Sequence, residues 1–370
     1  MVKRNQHLIS SNLAVVCPHP MNPNRTSTVT SAFVDSAHLE VRAVERRPLW
    51  LLGLTLLALA AGCGQQQSTS DGGESDGGRS DAGGLASVNF IAFQAGAPET
   101  VLWDDAHSLL YVVDNTGNRI WKWTDASGLG SAPYATLPAP LDAGTLPPNV
   151  TLGQAALLAN GTLVVNRFGQ SGGGAGDISY VSADGAAALV PNLDATRRRI
   201  GLAAAPDNTL YGSYFASADG GTVGFVTTVD IHAGESVVAD GFGKIVGLAI
   251  TGGRLYVSDQ SAGKIYDAPL SPLPAHATEW HTLVSGMVKP DQICVGPDGS
   301  LFTGQFQGAP GSSAPIAVRQ ISSTGTVTAF KQDPDVSKPS GVSYDPTHRR
   351  LFVADSGNSS KIGIHVFTVP

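Results

Sequence analysis

Aspartates that could act as general acids, general bases or metal ligands recur at corresponding points along the chain. Three of them begin short polar segments, which are Asp114–Asn118, Asp259–Gly263 and Asp355–Asn358. Each segment follows an apolar run and contains residues of the Gly, Asn and Ser types that favour turns. Because a carboxylate at the end of a strand can accept hydrogen bonds from the backbone that follows it, we predict that these aspartates form Asx-turns and are not catalytic.

Other patterns that would indicate catalysis or cofactor binding are weak. The histidines do not show the paired spacing of a metal-binding motif; they include His107, His276, His281, His348 and His365. The glycine-rich run 170–176 stands between two strand-like segments. It therefore predicts a hairpin loop, since a phosphate-binding loop would lead into a helix.

The composition indicates a globular domain rich in turns. The chain has 370 residues with 44 Gly and 23 Pro, and only 14% of its residues are charged. The net charge of −7 argues against a nucleic-acid partner, since phosphate binding requires a basic surface. The one dense basic cluster outside the N-terminal region, Arg197–Arg199, is predicted to be a solvated loop.

Strand-like segments repeat at a nearly constant period from Leu85 to the C-terminus. The repeats align on a pair of apolar residues in the second strand of each unit: Leu110-Tyr111, Leu163-Val164, Leu210-Tyr211, Leu255-Tyr256, Leu301-Phe302 and Leu351-Phe352. Six short antiparallel units at this period are the signature of a β-propeller. We therefore predict an all-β protein, a six-bladed β-propeller with four-stranded blades.

The ring of blades needs one strand from the beginning of the chain. The sixth unit contains residues for only three strands, the last of which ends at Val369. The segment Val88–Phe93 (VNFIAF) is apolar and precedes the first unit. We expect this N-terminal strand to close the last blade, because an open blade would expose unpaired backbone groups.

The N-terminal region predicts export and attachment to a membrane. Arg46-Arg47 precedes the apolar run Leu49–Ala61, which is too short to span a bilayer comfortably. The run ends in Leu59-Ala60-Ala61-Gly62-Cys63, which resembles a bacterial lipoprotein signal. That resemblance implies lipidation of Cys63 and a location in the bacterial cell envelope. Gly64 after the cysteine, in place of an Asp, favours the outer membrane, facing the periplasm or the surface. An ordinary secretory signal is the alternative.

Three regions of the chain follow from these patterns. Residues 1–62 form a leader, in which we expect translation to begin near Val41 or Val44. Residues 63–86 are a flexible linker after the lipidated cysteine, since they are rich in Gly, Ser and Asp and contain little that could be buried. Residues 87–370 form the propeller. We expect the protein to be a monomer that contacts the membrane only through its lipid.

The first repeat resembles the senescence-marker/gluconolactonase/regucalcin family. The resemblance rests on Glu99, Trp103, Asp104-Asp105 and the segment Leu110–Asp114. The first and last units also resemble NHL repeats, through LLYVVDNTGNRIWKW and SGVSYDPTHRRLFVADSGN. Both families are six-bladed propellers, so the resemblances imply this fold for the whole repeat region.

The lactonase resemblance implies a metal site at one mouth of the central channel. The corresponding positions, one from each blade, are Glu99, Gly153, Ile200, Val246, Asp291 and Ser340. Glu99 and Asp291 match metal ligands of the family, and Ser340 is a further candidate ligand. Arg198 matches a residue that helps to hold substrate. Ile200 and Val246 replace two asparagines of the family, and a hard cation such as Ca²⁺ needs about six to eight oxygens.

Two functions remain open on this basis. The first is a binding module whose channel mouth holds a small-molecule ligand or a protein partner, with Glu99 and Asp291 retained in a degenerate site. The second is a lactonase or related hydrolase that depends on Ca²⁺, Mg²⁺, Mn²⁺ or Zn²⁺, for which Arg198 is the candidate catalytic residue. A quinone-dependent dehydrogenase is disfavoured, because the five tryptophans form no repeated docking motif.

Overall fold

The computed structural model describes residues 89–94, 96–140, 151–169, 176–218, 221–306, 318–331, 336–357 and 362–370. The leader 1–62, Cys63, the linker 63–86 and most of the run 170–176 lie outside the described residues. Within the described ranges, no helix has the length and apolar character needed to cross a membrane.

The strands of the first three blades follow one another along the chain, after one isolated strand. That strand is β1 (Phe90–Ala92). The first blade contains β2 (Pro98–Asp104), β3 (Leu109–Asp114), β4 (Arg119–Thr124), β5 (Gly128–Leu129) and β6 (Ala135–Thr136). The second contains β7 (Leu152–Leu157), β8 (Leu163–Arg167), β9 (Asp177–Val181) and β10 (Ala187–Leu189). The third contains β11 (Arg198–Ala204), β12 (Leu210–Ala218), β13 (Gly221–Asp230) and β14 (Gly234–Phe242).

The last three blades repeat this arrangement. The fourth contains β15 (Ile245–Thr251), β16 (Arg254–Asp259), β17 (Lys264–Pro269) and β18 (His281–Val284). The fifth contains β19 (Pro290–Val295), β20 (Leu301–Gln305), β21 (Val318–Ile321) and β22 (Val327–Lys331). The sixth contains β23 (Pro339–Asp345), β24 (Arg350–Asp355) and β25 (Gly363–Thr368). Two single-turn 3₁₀ helices, Ala277–Glu279 and Pro297–Gly299, lie in loops of the fourth and fifth blades.

The predicted six-bladed β-propeller is confirmed. Each blade is an antiparallel sheet with four strand positions. In the first blade the outer position is divided between β5 and β6, which both pair with β4. The innermost strands β2, β7, β11, β15, β19 and β23 contact one another in sequence, and β23 contacts β2, so the ring is closed.

The N-terminal strand completes the sixth blade, as predicted. β1 pairs antiparallel with β25, with Ile91 opposite Ile364. Phe93 follows this strand and is 1% exposed. Its ring packs edge-on against Trp121 of the first blade, with the centroids 6.0 Å apart. The beginning of the propeller therefore holds its last blade against its first.

The hydrophobic core lies between the blades. The buried apolar residues of the described chain form six clusters, and each cluster joins two neighbouring blades. At the junction of the sixth and first blades, for example, Phe352 stacks on Trp103 with the ring centroids 5.5 Å apart. A single blade cannot bury its sheet faces alone, so the stability of each blade depends on its neighbours.

The aspartates at the ends of β3, β16 and β24 form the predicted turns. Asp114 accepts a hydrogen bond from the Thr116 N–H at 3.0 Å, and Asp259 accepts one from the Ser261 N–H at 3.1 Å. Asp355 accepts one from the Gly357 N–H at 2.9 Å. These side chains are almost completely buried, and backbone donors satisfy their carboxylates.

The same three aspartates also hold the loops that lead into the innermost strands. Asp114 accepts a hydrogen bond from the Ala97 N–H at 3.1 Å, and Asp259 accepts one from the Gly243 N–H at 2.6 Å. Asp355 accepts one from the Lys338 N–H at 3.0 Å. Each hydrogen bond holds the loop that directly precedes β2, β15 or β23, and so positions the first residues of that strand at the central channel.

The prediction for Arg197–Arg199 was wrong. Arg198 and Arg199 begin β11, and Arg199 is 1% exposed. Its guanidinium donates to both carboxylate oxygens of Glu235, at 3.1 and 2.5 Å, and Arg197 also pairs with Glu235 at 2.8 Å. Glu235 lies on β14, the outer strand of the same blade. A partner brought close by the sheet, 36 residues away in sequence, therefore replaces solvent around Arg199.

Candidate functional site

Each innermost strand carries a β-bulge at its channel-mouth position. The register of pairing with the second strand shifts at the same place in all six blades. The residues within these shifts include all six positions aligned from the sequence: Glu99, Gly153, Ile200, Val246, Asp291 and Ser340. A bulge leaves an extra residue unpaired and redirects its side chain, which is why bulges are common beside functional sites.

Four of these residues line one cavity at the channel mouth. Its volume is about 200 Å³, and Glu99, Ile200, Val246 and Asp291 contribute to its wall from the first, third, fourth and fifth blades. The remaining lining residues come from loops and strand ends: Asn115, Thr151, Leu152, Phe168, Lys244, Gln260, Phe306 and Lys338. The structure thus brings together the two carboxylates that the resemblance indicated, although 192 residues separate them in the sequence.

The two carboxyl groups are buried and differ in their partners. Glu99 is 8% exposed and accepts a hydrogen bond from Asn115 Nδ2 at 2.7 Å. Asp291 is 5% exposed, and its Oδ2 atom is buried without a hydrogen-bond partner among the described residues. Burial raises the pKa of both groups, and the nearby Glu99 helps to raise the pKa of Asp291 to about 8.

Ser340 and Arg198 lie beside the cavity and do not belong to its lining. Ser340 is buried, and its hydroxyl donates to the main-chain oxygen of Glu99 at 2.8 Å. It therefore links the sixth blade to the first and positions Glu99. The Arg198 guanidinium carbon lies 3.8 Å from the centroid of Phe168, whose ring lines the cavity.

Two lysines in the cavity wall were not predicted from the sequence. Lys244 and Lys338 each stand two residues before a bulge position, and both are half-buried. Lys244 Nζ donates to Gln260 Oε1 at 2.7 Å. Burial lowers the pKa of Lys244, and the charges of Arg198 and Lys289 add to this effect, whereas Asp291 and Glu99 oppose it.

Phenylalanine rings surround the ammonium groups of these lysines. Lys244 Nζ lies 5.6 Å from the centroids of both Phe168 and Phe215, and 5.7 Å from that of Phe306. Lys338 Nζ lies 5.0 Å from the Phe306 centroid. The faces of these rings stabilise the cations in a partly desolvated place. A lysine placed directly before a strand gives no distinctive sequence signal, so sequence reasoning missed this arrangement.

A glutamine closes the channel beneath the bulge positions. Gln154 Nε2 donates to the main-chain oxygens of Leu248 and Ile293, at 2.9 and 3.0 Å. Its Oε1 accepts from the N–H groups of Leu202 and Leu248, at 3.1 and 2.9 Å. This side chain therefore joins four blades, and all four of its hydrogen-bonding positions are used.

The donor set at the mouth does not fit a dedicated site for a divalent metal. Among the described residues, no group of three or more His, Cys, Asp and Glu side chains is arranged to hold a metal ion. Ile200 and Val246 present apolar side chains, and the cation Lys244 acts on the charges of both Glu99 and Asp291. Any metal here would need water for most of its coordination shell.

Solved structures confirm the fold. A gluconolactonase from Xanthomonas campestris is 19% identical, with a TM-score of 0.56 over 76% of this chain and 89% of that one. A calcium-binding protein, regucalcin, from Agrobacterium tumefaciens is 12% identical, with a TM-score of 0.53 over 76% and 91% of the two chains. The PQQ-bound aldose sugar dehydrogenase from Streptomyces coelicolor is 14% identical, with a TM-score of 0.54 over 75% and 96%.

Comparison of the sequence with protein-family models and with curated proteins gave no match. The similar structures perform different chemistry on one scaffold, and a fold alone does not determine an activity. The chain thus has the six-bladed propeller fold found in gluconolactonases and regucalcin.

Proposed function

We propose that this protein is a lipid-anchored propeller of the bacterial cell envelope whose channel mouth binds a small polar ligand. The observation that carries the proposal is the cavity of about 200 Å³ in which Glu99, Asp291, Lys244 and Lys338 converge. Two of these groups are buried and two are half-buried, and grouping ionisable side chains in one small space is costly unless they are paired with one another or with a ligand. Pockets with a few convergent polar groups and perturbed pKa values are the usual location of ligand sites.

Binding can be tested with a panel of small molecules. Ligand-observed NMR would be recorded on the purified protein with small acids, amines, sugars and lactones. Ile200→Trp should abolish the signals, because Ile200 lines the cavity and a larger side chain would fill it. Val288→Trp is the matched control, since Val288 is 37% exposed and lies outside the cavity lining. Binding that survives Ile200→Trp would place the ligand elsewhere.

The lipid anchor is supported by the apolar run Leu49–Ala61 and the small residues that precede Cys63. Labelled palmitate fed to cells that produce the protein should enter the wild type and should be absent from Cys63→Ser. Gly64 follows the cysteine where an Asp would be the usual signal for retention at the inner membrane, and the outer membrane is therefore the proposed site. Equal labelling of both forms would contradict the anchor.

A metal-dependent lactonase is the second candidate. The unpartnered Asp291 Oδ2 and the fold shared with gluconolactonases support it. The apolar Ile200 and Val246 and the Lys244 cation argue against it. A panel of sugar lactones would be assayed with Ca²⁺, Mg²⁺, Mn²⁺ or Zn²⁺ present. We expect no turnover above background, and turnover that disappears in Glu99→Gln would establish the enzyme.

A further inference from the structure

Positive charge is concentrated at the channel mouth of a protein whose net charge is −7. Lys244 and Lys338 line the cavity, and Arg198 and Lys289 are close enough to Lys244 to influence its charge. The ion pairs found among the described residues involve none of these four side chains. Two of these cations, Lys244 and Lys338, therefore share the cavity with two carboxyl groups, and the other two lie near Lys244.

Two buried polar atoms at this mouth have no hydrogen-bond partner in the described structure. One is Asp291 Oδ2 and the other is Arg198 Nε. Asp291 is 5% exposed and lines the cavity, while the Arg198 guanidinium covers the Phe168 ring at the cavity wall. Leaving a buried polar atom unpaired costs about 1–3 kcal/mol, so an unpaired atom in a cavity wall is a place where a ligand group could be accommodated favourably.

The arrangement of these groups defines the chemistry of the ligand. Lys244 and Lys338 both lie within 6 Å of the Phe306 centroid and line the same cavity, so their charges favour an anionic group there. Asp291 Oδ2 lacks a partner in the described structure, and in its ionised form it accepts a hydrogen bond from a donor on the same molecule. Hydrogen phosphate carries its donor on the charged centre itself, and its second negative charge would be repelled by ionised carboxyl groups. The cavity is also smaller than the roughly 300 Å³ typical of drug-sized ligands.

We propose that the ligand is a small organic carboxylate with a hydrogen-bond donor on the adjacent carbon. The carboxylate lies between Lys244 and Lys338, and the donor, a hydroxyl or an ammonium group, contacts Asp291 Oδ2. This inference rests on the proposed function, since it names the ligand class of the same cavity. The charges of the two lysines provide the affinity, and the donor requirement provides the selectivity.

Isothermal titration calorimetry with matched probes tests the two halves of the ligand separately. Lactate carries both groups, propionate lacks the donor, and lactamide lacks the charge. Alanine replaces the hydroxyl with an ammonium group, and inorganic phosphate replaces the carboxylate. Lactate or alanine should bind, propionate should bind about tenfold more weakly, and lactamide should give no heat of binding. Binding should also weaken as the salt concentration rises.

Charge-removing variants test the assignment of the lysines. Lys244→Gln and Lys338→Gln should each weaken the binding of lactate or alanine about tenfold, which corresponds to about 1.4 kcal/mol. Lys264→Gln is the matched control: Lys264 Nζ also lies over an aromatic ring, 5.4 Å from the Tyr266 centroid, but the residue is outside the cavity lining. It should leave the affinity unchanged.

Several results would overturn the inference. It fails if lactamide binds as tightly as lactate, if phosphate alone binds, or if the three lysine variants behave alike. If sugars or amines bind to the wild type but not to Ile200→Trp, and carboxylates do not bind, this inference fails while the proposed function stands. If no molecule of any charge class binds to the wild type, both fail.

Discussion

Two sets of buried carboxyl groups in this propeller differ in what satisfies them. Asp114, Asp259 and Asp355 are between 0 and 1% exposed, and backbone N–H groups from two separate segments bind each carboxylate. Glu99 and Asp291 are nearly as buried, at 8 and 5% exposed. Glu99 has one amide donor, and Asp291 Oδ2 has no partner in the described structure.

The comparison shows that burial alone does not separate a structural carboxylate from a functional one. Satisfied aspartates hold the turns of the first, fourth and sixth blades, and the incompletely satisfied pair faces a cavity. The two sets also cooperate. Asp259 binds the Gly243 N–H and Asp355 binds the Lys338 N–H, so the structural aspartates position the segments that carry Lys244 and Lys338.

The largest expected change in stability comes from substituting an aspartate whose carboxylate is satisfied by backbone N–H groups. Asp355→Ala should lower the free energy of unfolding by about 3 kcal/mol, because the N–H groups of Ser337, Lys338 and Gly357 would lose their acceptor. Urea denaturation measures the change. Asp207→Ala is the control, since this carboxylate is exposed and accepts the Thr209 N–H in its own turn, and its loss should cost under about 0.5 kcal/mol. Equal losses in the two variants would break the comparison.

At Asp291 we expect a smaller change in stability with the opposite sign. Burial, followed by the Glu99 charge, raises its pKa from 3.8 to about 8, although Lys244 and Lys338 act in the other direction. Between these pH values the native state binds more protons than the unfolded state. The contribution of this group to stability is therefore complete below about pH 4 and is lost as the pH rises through about 8.

Asp291→Asn should remove this part of the pH dependence. Relative to the wild type, the variant should become more stable between pH 5 and pH 9, as measured by urea denaturation at several pH values. Asp259→Asn should instead destabilise the protein across this range, because its carboxylate is satisfied by backbone donors. An unchanged pH profile in Asp291→Asn would mean that this carboxyl group is ionised at neutral pH.

The smallest expected effect is the response to divalent metals. Calorimetry with Ca²⁺, Mg²⁺, Mn²⁺ and Zn²⁺ should show only weak binding, on the order of 1 mM, because Glu99 and Asp291 supply too few oxygens. Glu99→Gln should weaken it further, whereas Asp207→Asn should have no effect. Micromolar binding would show that the mouth is a metal site after all and would favour the lactonase.

Much of the fold could be predicted because its determinants are local and periodic. The apolar pair in each second strand, such as Leu110-Tyr111, marks a repeating unit, and the aspartates that follow three of these strands bind the next backbone groups in their own turns. The closing strand near Phe93 could also be anticipated, since the sixth unit is one strand short.

The site could be predicted only in part. Glu99 and Asp291 emerged from a resemblance in which each blade contributes one position, and the bulges show why these positions face the channel. Lys244 was not predicted because no motif in the neighbouring sequence distinguishes it from other lysines. Arg199 was predicted to be solvated because its partner Glu235 lies on another strand.

The sequence by itself determined the repeat, its number of units and the turns between strands, because those features depend on neighbouring residues and on a regular spacing. Only the tertiary structure decided which side chains meet at the channel mouth. Lys244, Lys338 and Asp291 come from three different blades, and Gln154 closes the channel by bonding to three further blades. Closure of the ring creates these contacts, so no spacing within the chain reveals them.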